Sequence, residues 1–278
     1  MKRNRVNIVT LGCSKNTVDS QKLMRQLEAG GYKVSAESSE AADIVIINTC
    51  GFIHDAKEES IDTIIRHAEV LKREGRGKLF VMGCLVERYR KELQESMPEV
   101  ESWFGVNRPG EIISHLGLSY RQELTGERII TGPRHYAYLK ISEGCDRTCA
   151  FCAIPDIRGR YTSAPLEELV AEARFLASEG VKELILIAQD LTLYGTDIYG
   201  RQMLPELVRQ LSAIEDLGWI RLHYLYPSGF PYEILEMMQA DPKICRYIDI
   251  PLQHISDNVL RKMRREHDST ETRHLLSD

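Results

Sequence analysis

The chain has 278 residues, 43% of them hydrophobic, with a formal net charge of -5 and seven cysteines. That length buries substantial cores and suggests two domains, while the mild acidity gives no global footprint for nucleic acid and leaves only a local basic patch open. An odd cysteine count without a signal peptide argues against a secreted disulfide framework and for a reducing compartment, the cytoplasm, and no apolar run approaches a membrane span.

Met1-Lys2-Arg3-Asn4-Arg5 is basic, but the apolar stretch behind it is a short strand interrupted by Asn7 and Thr10, too brief for a leader. Val6 to Leu11 reads as a buried strand, broken by Gly12-Cys13, and Val18 to Ala29 has apolar residues at helical spacing, ended by Gly30-Gly31. Tyr32 to Val34 is a short strand and Asp43 to Asn48 a fully buried one, followed by Thr49-Cys50-Gly51 and a helix from about Asp55 to Arg73. Lys78 to Met82 is the next strand, then Gly83-Cys84 and a helix through Leu93. Strands alternating with helices predict an open parallel sheet with helices on its faces.

Cys13, Cys50 and Cys84 occupy the same place in that alternation, each just past the carboxyl end of a strand. In an open parallel sheet those ends share one edge, where ligands bind, so the three thiols are expected to converge. They would form a cluster site with an open iron, or else three small buried hydrophobes.

Residues 1–118 make the first predicted domain, and turn signals from Ser119 to His135 mark 119–135 as a linker. The second domain, 136–278, opens with the alternating strand Tyr136 to Ser142. A helix over Pro165 to Glu179 follows, then a strand at Glu183 to Ala188, a helix from Met203 to Ile214 and a strand at Ile220 to Leu225. A helix from Tyr232 to Met238, a strand at Tyr247 to Ile250 and a helix over Asp257 to Arg265 complete four strand-helix units, a partial barrel of parallel strands. Its chemistry should gather at the carboxyl ends of the strands, where Gln189, Asp190, Ser228, Gln253 and His254 stand, each also readable as a loop-capping polar group. Arg158 and Arg160 are placed to meet a carboxylate of cofactor or substrate, and Cys245 reads as a core thiol.

Cys145, Cys149 and Cys152 sit on one loop at a spacing that closes three thiolates around one face of a 4Fe-4S cube. One iron then lacks a protein ligand, and a small molecule carrying an amine and a carboxylate can chelate it, which S-adenosylmethionine fits. The alternatives are a zinc knuckle completed by a distant histidine, or a disulfide with a spare thiol. This spacing, with Phe151 immediately before the third cysteine, resembles the radical S-adenosylmethionine superfamily, whose aromatic at that place packs near the adenine; a core aromatic is the other reading.

Further motifs narrow the resemblance. Leu11-Gly12-Cys13-Ser14-Lys15-Asn16, Asn48-Thr49-Cys50-Gly51-Phe52-Ile53, Gly83-Cys84-Leu85, Glu143 through Arg160 and Pro251-Leu252-Gln253-His254 are similar to those of the methylthiotransferases, over nearly the whole chain. Several of them resemble the branch that modifies an aspartate of small-subunit ribosomal protein S-twelve rather than the transfer-RNA branch. The resemblance implies two 4Fe-4S clusters, one on Cys145, Cys149 and Cys152 that cleaves S-adenosylmethionine, and an auxiliary one on Cys13, Cys50 and Cys84 that presents the sulfur. Gln189 and Asp190 join Phe151 as expected cofactor contacts, and an electron donor such as a flavodoxin or ferredoxin is the implied partner, with no membrane. Relatives of this kind continue through further strand-helix units and a small β-barrel, whereas here the polar stretch 266–278 follows the fourth unit, which suggests a truncated chain. A transfer-RNA methylthiotransferase and an inert iron-sulfur fragment are the alternative readings.

Overall fold

The computed structural model describes residues 4–277, so Met1-Lys2-Arg3 of the basic run and the last residue of the stretch 266–278 lie outside the described residues. The chain divides into two compact units, residues 1–131 and 132–278.

The first unit runs β1 (Arg5–Thr10), α1 (Ser14–Ala29), β2 (Lys33–Ala36), β3 (Ile44–Thr49), α2 (His54–Glu74), β4 (Lys78–Gly83), α3 (Cys84–Ser96), β5 (Ser102–Phe104) and α4 (Pro109–His115). All five strands are parallel, in the order β2-β1-β3-β4-β5. Period-two alternation explains why β3 is apolar at every step of its first four residues. Ile44 and Ile46 join Leu23, Leu27 and Ile112 on one face, while Val45 and Ile47 join Ile64, Leu85 and Leu93 on the other. Each such fully buried side chain contributes about 2 kcal/mol, so two helical layers are clamped to the sheet. β5 and α4 escaped the sequence reading because β5 is only three residues long, although Pro109 in the first turn of α4 was a start signal.

Residues 119–135, expected as the linker, are divided by the unit boundary. Most of the segment up to Thr131 is laid along α1. The Arg25 guanidinium donates to Glu127 at 2.8 Å, the Ile129 N–H to the Gln21 carbonyl at 3.2 Å, and the Gln26 amide bonds the Arg121 backbone both ways.

The second unit contains β6 (Tyr136–Lys140), β7 (Ser142–Glu143), α5 (Ile154–Arg158), β8 (Thr162–Ser163), α6 (Leu166–Ser178), β9 (Glu183–Ile187), α7 (Thr196–Tyr199), α8 (Leu204–Ser212), β10 (Trp219–Leu222), α9 (Glu233–Ala240), β11 (Ile244–Ile248), α10 (Asp257–Lys262) and α11 (Ser269–Ser277). Four strands are parallel in the order β11-β10-β9-β6, and the antiparallel pair β7-β8 flanks the cysteine loop. The partial barrel is therefore present.

Its details differ from expectation for local reasons. β10 stops before Leu225 because Tyr224 adopts φ 70°, and α10 stops before Arg265 because Arg264 adopts φ 53°; both angles leave the regular region. β11 begins earlier than expected, since only Ile244 at its start is buried and the rest of this edge strand is half-wet. Cys245 accordingly lies half-buried on that edge rather than in the core. The polar stretch after residue 265 is folded as α11, because Asp268 and Glu271 form a capping box. The Asp268 carboxylate accepts the Thr270 and Glu271 amides at 2.9 Å, and Glu271 accepts the Asp268 amide at 3.0 Å. Among the described residues no helix is long and apolar enough to cross a membrane.

Candidate metal centres

β1, β3 and β4 lie side by side, and each delivers one cysteine past its carboxyl end. Cys13 is the N-cap of α1, Cys84 is the first residue of α3, and Cys50 lies three residues before the N-cap of α2. None of these helix starts has a side-chain cap, and the macrodipole of each helix favours negative charge at its first turn.

The loops touch through two glycines. Gly12 takes φ 88°, and a Cβ there would stand 2.6 Å from Cys50 Cβ and 3.1 Å from its sulfur. A Cβ on Gly51 would stand 2.9 Å from the Cys84 carbonyl oxygen. These close approaches bring the three cysteine-bearing turns together, as the sheet edge demanded.

A buried polar frame fixes the turns. The Asn16 amide donates to the carbonyls of Leu11 at 2.8 Å and Thr49 at 3.1 Å, and the Asn48 amide donates to the Asn16 carbonyl at 3.0 Å. The Ser60 hydroxyl accepts the Cys50 N–H at 3.1 Å, and Arg88 donates to the Gly51 carbonyl at 2.8 Å. Sequence reasoning missed this frame; Asn48 inside an otherwise apolar strand was its one signal.

In the second unit, β7 and α5 bracket the loop that carries Cys145, Cys149 and Cys152. The Cys145 N–H donates to the Gly159 carbonyl at 3.1 Å, and the Cys152 N–H to the Cys149 carbonyl at 3.1 Å. Burial pushes the Cys145 thiol up to about 11, and burial likewise raises Cys152, with the neighbouring Cys149 adding to the rise. Cys145 and Cys152 are therefore costly to ionise alone, and a bound cation is what would draw off their protons. Three soft donors on one loop suit a cluster, and none of the seven cysteines is in a disulfide. Among the described residues no three His, Cys, Asp or Glu side chains lie tightly enough to hold a single metal ion.

Phe151, beside the third cysteine, is 52% exposed, so it is not a core aromatic. Gln189 donates from its amide nitrogen to Glu143 at 2.9 Å, while its amide oxygen is buried without a partner. Asp190 is 1% exposed, and both its oxygens are taken: one accepts the Thr192 amide at 2.9 Å and hydroxyl at 2.5 Å, the other accepts Arg147 Nε at 3.0 Å. Arg147 also donates to Glu266 and to the Ser228 carbonyl at 3.2 Å, and stacks 3.9 Å from the Tyr226 ring centroid. Ser228 thus serves by its carbonyl.

The two candidate arginines part company. Arg158 is buried and donates to Glu143 at 2.9 Å, whereas the Arg160 side chain is 91% exposed. Burial would raise the Glu143 carboxyl, but Lys140 at 2.7 Å and Arg158 overcome it and hold that carboxyl down at about 2. His254 is a loop cap, its Nδ1 accepting the Ser256 N–H at 2.8 Å, and Gln253 is exposed with φ 68°.

Two family models match the chain. Residues 139–276 match the Radical SAM superfamily and residues 5–105 match the uncharacterized protein family UPF0004. The chain is similar over nearly its whole length to a set of ribosomal protein uS12 methylthiotransferases. Among them, it is 52% identical over 280 residues to the ribosomal protein uS12 methylthiotransferase RimO of Flavobacterium johnsoniae, covering 100% of this chain and 64% of that protein. It is 54% identical over 278 residues to the RimO proteins of Flavobacterium psychrophilum and Phocaeicola vulgatus, again over 64% of their length. The chain thus spans about 64% of the length of these relatives. Among solved structures, the radical S-adenosylmethionine methyltransferase TsrM of Kitasatospora setae, with cobalamin and a 4Fe-4S cluster bound, superposes at TM-score 0.68 and 17% identity, over 99% of this chain and 67% of that one. The cobalamin-dependent radical enzyme OxsB matches at TM-score 0.64 and 13% identity, over 97% and 47%. These two share the fold.

Proposed function

We propose that the chain is a radical S-adenosylmethionine methylthiotransferase that places a methylthio group on the β-carbon of an aspartate of ribosomal protein uS12, in the cytoplasm. What supports this most directly is the two trios of thiols. One is carried on a single loop beside β7, the other by three neighbouring strand ends. The relatives' names supply the substrate and favour a protein over transfer RNA.

In this reading Cys145, Cys149 and Cys152 hold one 4Fe-4S cluster, and Cys13, Cys50 and Cys84 hold a second. When bound, the first supplies one-electron reduction of the S-adenosylmethionine sulfonium, with electrons from a flavodoxin- or ferredoxin-type donor, and the second a site for the sulfur to be transferred. The protein's own part is placement. Phe151 offers an exposed ring to the adenine, and the unpartnered Gln189 oxygen is an acceptor for the cofactor's ammonium. Asp190 acts through Arg147, which it pins inside the cysteine loop.

The test is anaerobic reconstitution with iron and sulfide, then reduction with S-adenosylmethionine and a peptide of uS12 carrying the target aspartate. About eight irons per chain, 5'-deoxyadenosine and a methylthiolated peptide are expected. About four irons or fewer sinks the two-cluster reading; eight irons without 5'-deoxyadenosine sinks the activity.

A further inference from the structure

The stretch Met263-Arg264-Arg265-Glu266, where the charged run Arg261-Lys262-Met263-Arg264-Arg265 meets the polar stretch 266–278, closes over the cysteine loop. The Ala150 N–H donates to the Met263 carbonyl at 3.0 Å, stitching the loop to the end of α10. Arg265 places Nη1 3.4 Å from Cys149 Sγ, donates from Nη2 to the Pro251 carbonyl at 2.6 Å, and rests its guanidinium 4.1 Å from the Tyr226 ring centroid.

Two arginines contact that ring, and their circumstances differ. Arg147 is neutralised by Asp190 and Glu266. Arg265 spends its hydrogen bonds on a sulfur and a carbonyl, neither of them a carboxylate, and its Nε is buried without a partner. Its positive charge is therefore held beside Cys149 and is not cancelled there.

We propose that Arg265 raises the electron affinity of the cluster held by Cys145, Cys149 and Cys152, by directing its guanidinium charge onto the Cys149 sulfur. The inference rests on the reading that Cys149 is a cluster ligand. Reduction adds one electron, delivered by an external one-electron carrier, and one negative charge spread over irons and sulfurs; no bond forms or breaks. A cation hydrogen-bonded to a ligand sulfur stabilises the more negative form, and partial burial keeps water from screening it. Only a guanidinium meets sulfur, carbonyl and ring at once, because its planar fork has donors on several edges and a face that stacks. A lysine retains the charge but loses two of the three anchors. Arg265 is thus a positioning residue for electron entry, acting through Cys149.

The experiment is an anaerobic redox titration of the reconstituted protein followed by electron paramagnetic resonance, read on the signal that S-adenosylmethionine perturbs. Arg265→Met, Arg265→Lys and, as a control, Arg261→Met on the exposed side of α10 are compared with the parent chain. Arg265→Met is expected to lower the reduced-to-oxidised ratio at fixed potential about tenfold, a shift of about 59 mV to more negative values for a one-electron couple. Arg265→Lys falls between, and Arg261→Met does not move. An unshifted potential in Arg265→Met with full iron content overturns the proposal, as does an equal shift in Arg261→Met. Loss of the cluster in both Arg265 variants makes the residue a structural brace and overturns it too. If the parent chain shows no signal that S-adenosylmethionine perturbs, the ligand assignment itself is at fault and the proposal falls with it.

Discussion

Gly51 sits against Cys84 so closely that a single added carbon on it would stand 2.7 Å from the Leu85 Cα, 2.8 Å from the Leu85 nitrogen and 2.9 Å from the Cys84 carbonyl oxygen. All three atoms are backbone at the start of α3, so a neighbouring rotamer cannot relieve the contact. The two cysteine turns approach because neither has a side chain between them.

Gly51→Ala should therefore push the Cys50 and Cys84 turns apart. The expected cost is about 2 kcal/mol of stability in the first unit. The more telling outcome is iron content after reconstitution, which should drop from about eight to about four per chain. Gly75, at φ 65° after α2 with open space around it, is the control: Gly75→Ala costs about 1 kcal/mol of backbone strain and leaves iron content unchanged.

The Arg147 and Asp190 pair makes a second prediction. Asp190→Asn preserves shape and the bond to the Thr192 amide but removes the charge facing an arginine that is 9% exposed. Breaking a buried pair from one side costs about 3 kcal/mol, because the surviving charge stays buried. Glu266 cannot take over, since its side chain is half in water. Chemical denaturation should show Asp190→Asn markedly less stable, with Glu266→Gln within about 1 kcal/mol of the parent.

Glu143 gives the fold a dependence on acid. Its carboxyl is depressed from 4.5 to about 2 in the folded chain, so its ion pairs stabilise the fold above the unfolded value and are lost as pH falls through the folded one. The loss is concentrated between about pH 4.5 and about pH 2 and amounts to about 3 kcal/mol. Glu143→Gln should flatten the stability of the protein over that window, measured by urea midpoints at successive pH values. An unchanged slope would show that Lys140 and Arg158 do not hold the carboxyl down.

How much of this was legible before the fold differs from element to element. The strands β1, β3 and β4 were readable because parallel strands buried on both faces are written as unbroken apolar runs. The convergence of Cys13, Cys50 and Cys84 followed from where such strands end. α11 was missed although Asp268 and Glu271 were visible, because its outward face is polar and only Thr272 and Leu275 are buried. Arg265 could not be assigned from sequence at all. In a run of four basic residues among five, nothing marks which one faces a sulfur, and its partners Cys149, Pro251 and Tyr226 lie far from it along the chain.

Cys245 separates iron binding from thiol content. It is half-buried on the edge strand β11, beside Arg221 rather than beside another cysteine, and burial raises its thiol above the ordinary value. A neutral thiol with no neighbouring thiol has nothing to recruit iron with. Cys245→Ser should bind as much iron as the parent, at a cost of about 1 kcal/mol for a partly buried sulfur. Each of the six other cysteines, changed to serine in turn, should lose about four irons, because a cube held by only two thiolates is not retained. The pattern of six losses against one retention is the outcome that two three-thiol sites require. A loss at Cys245 comparable with the others would assign it a ligand role that its place on β11 does not support.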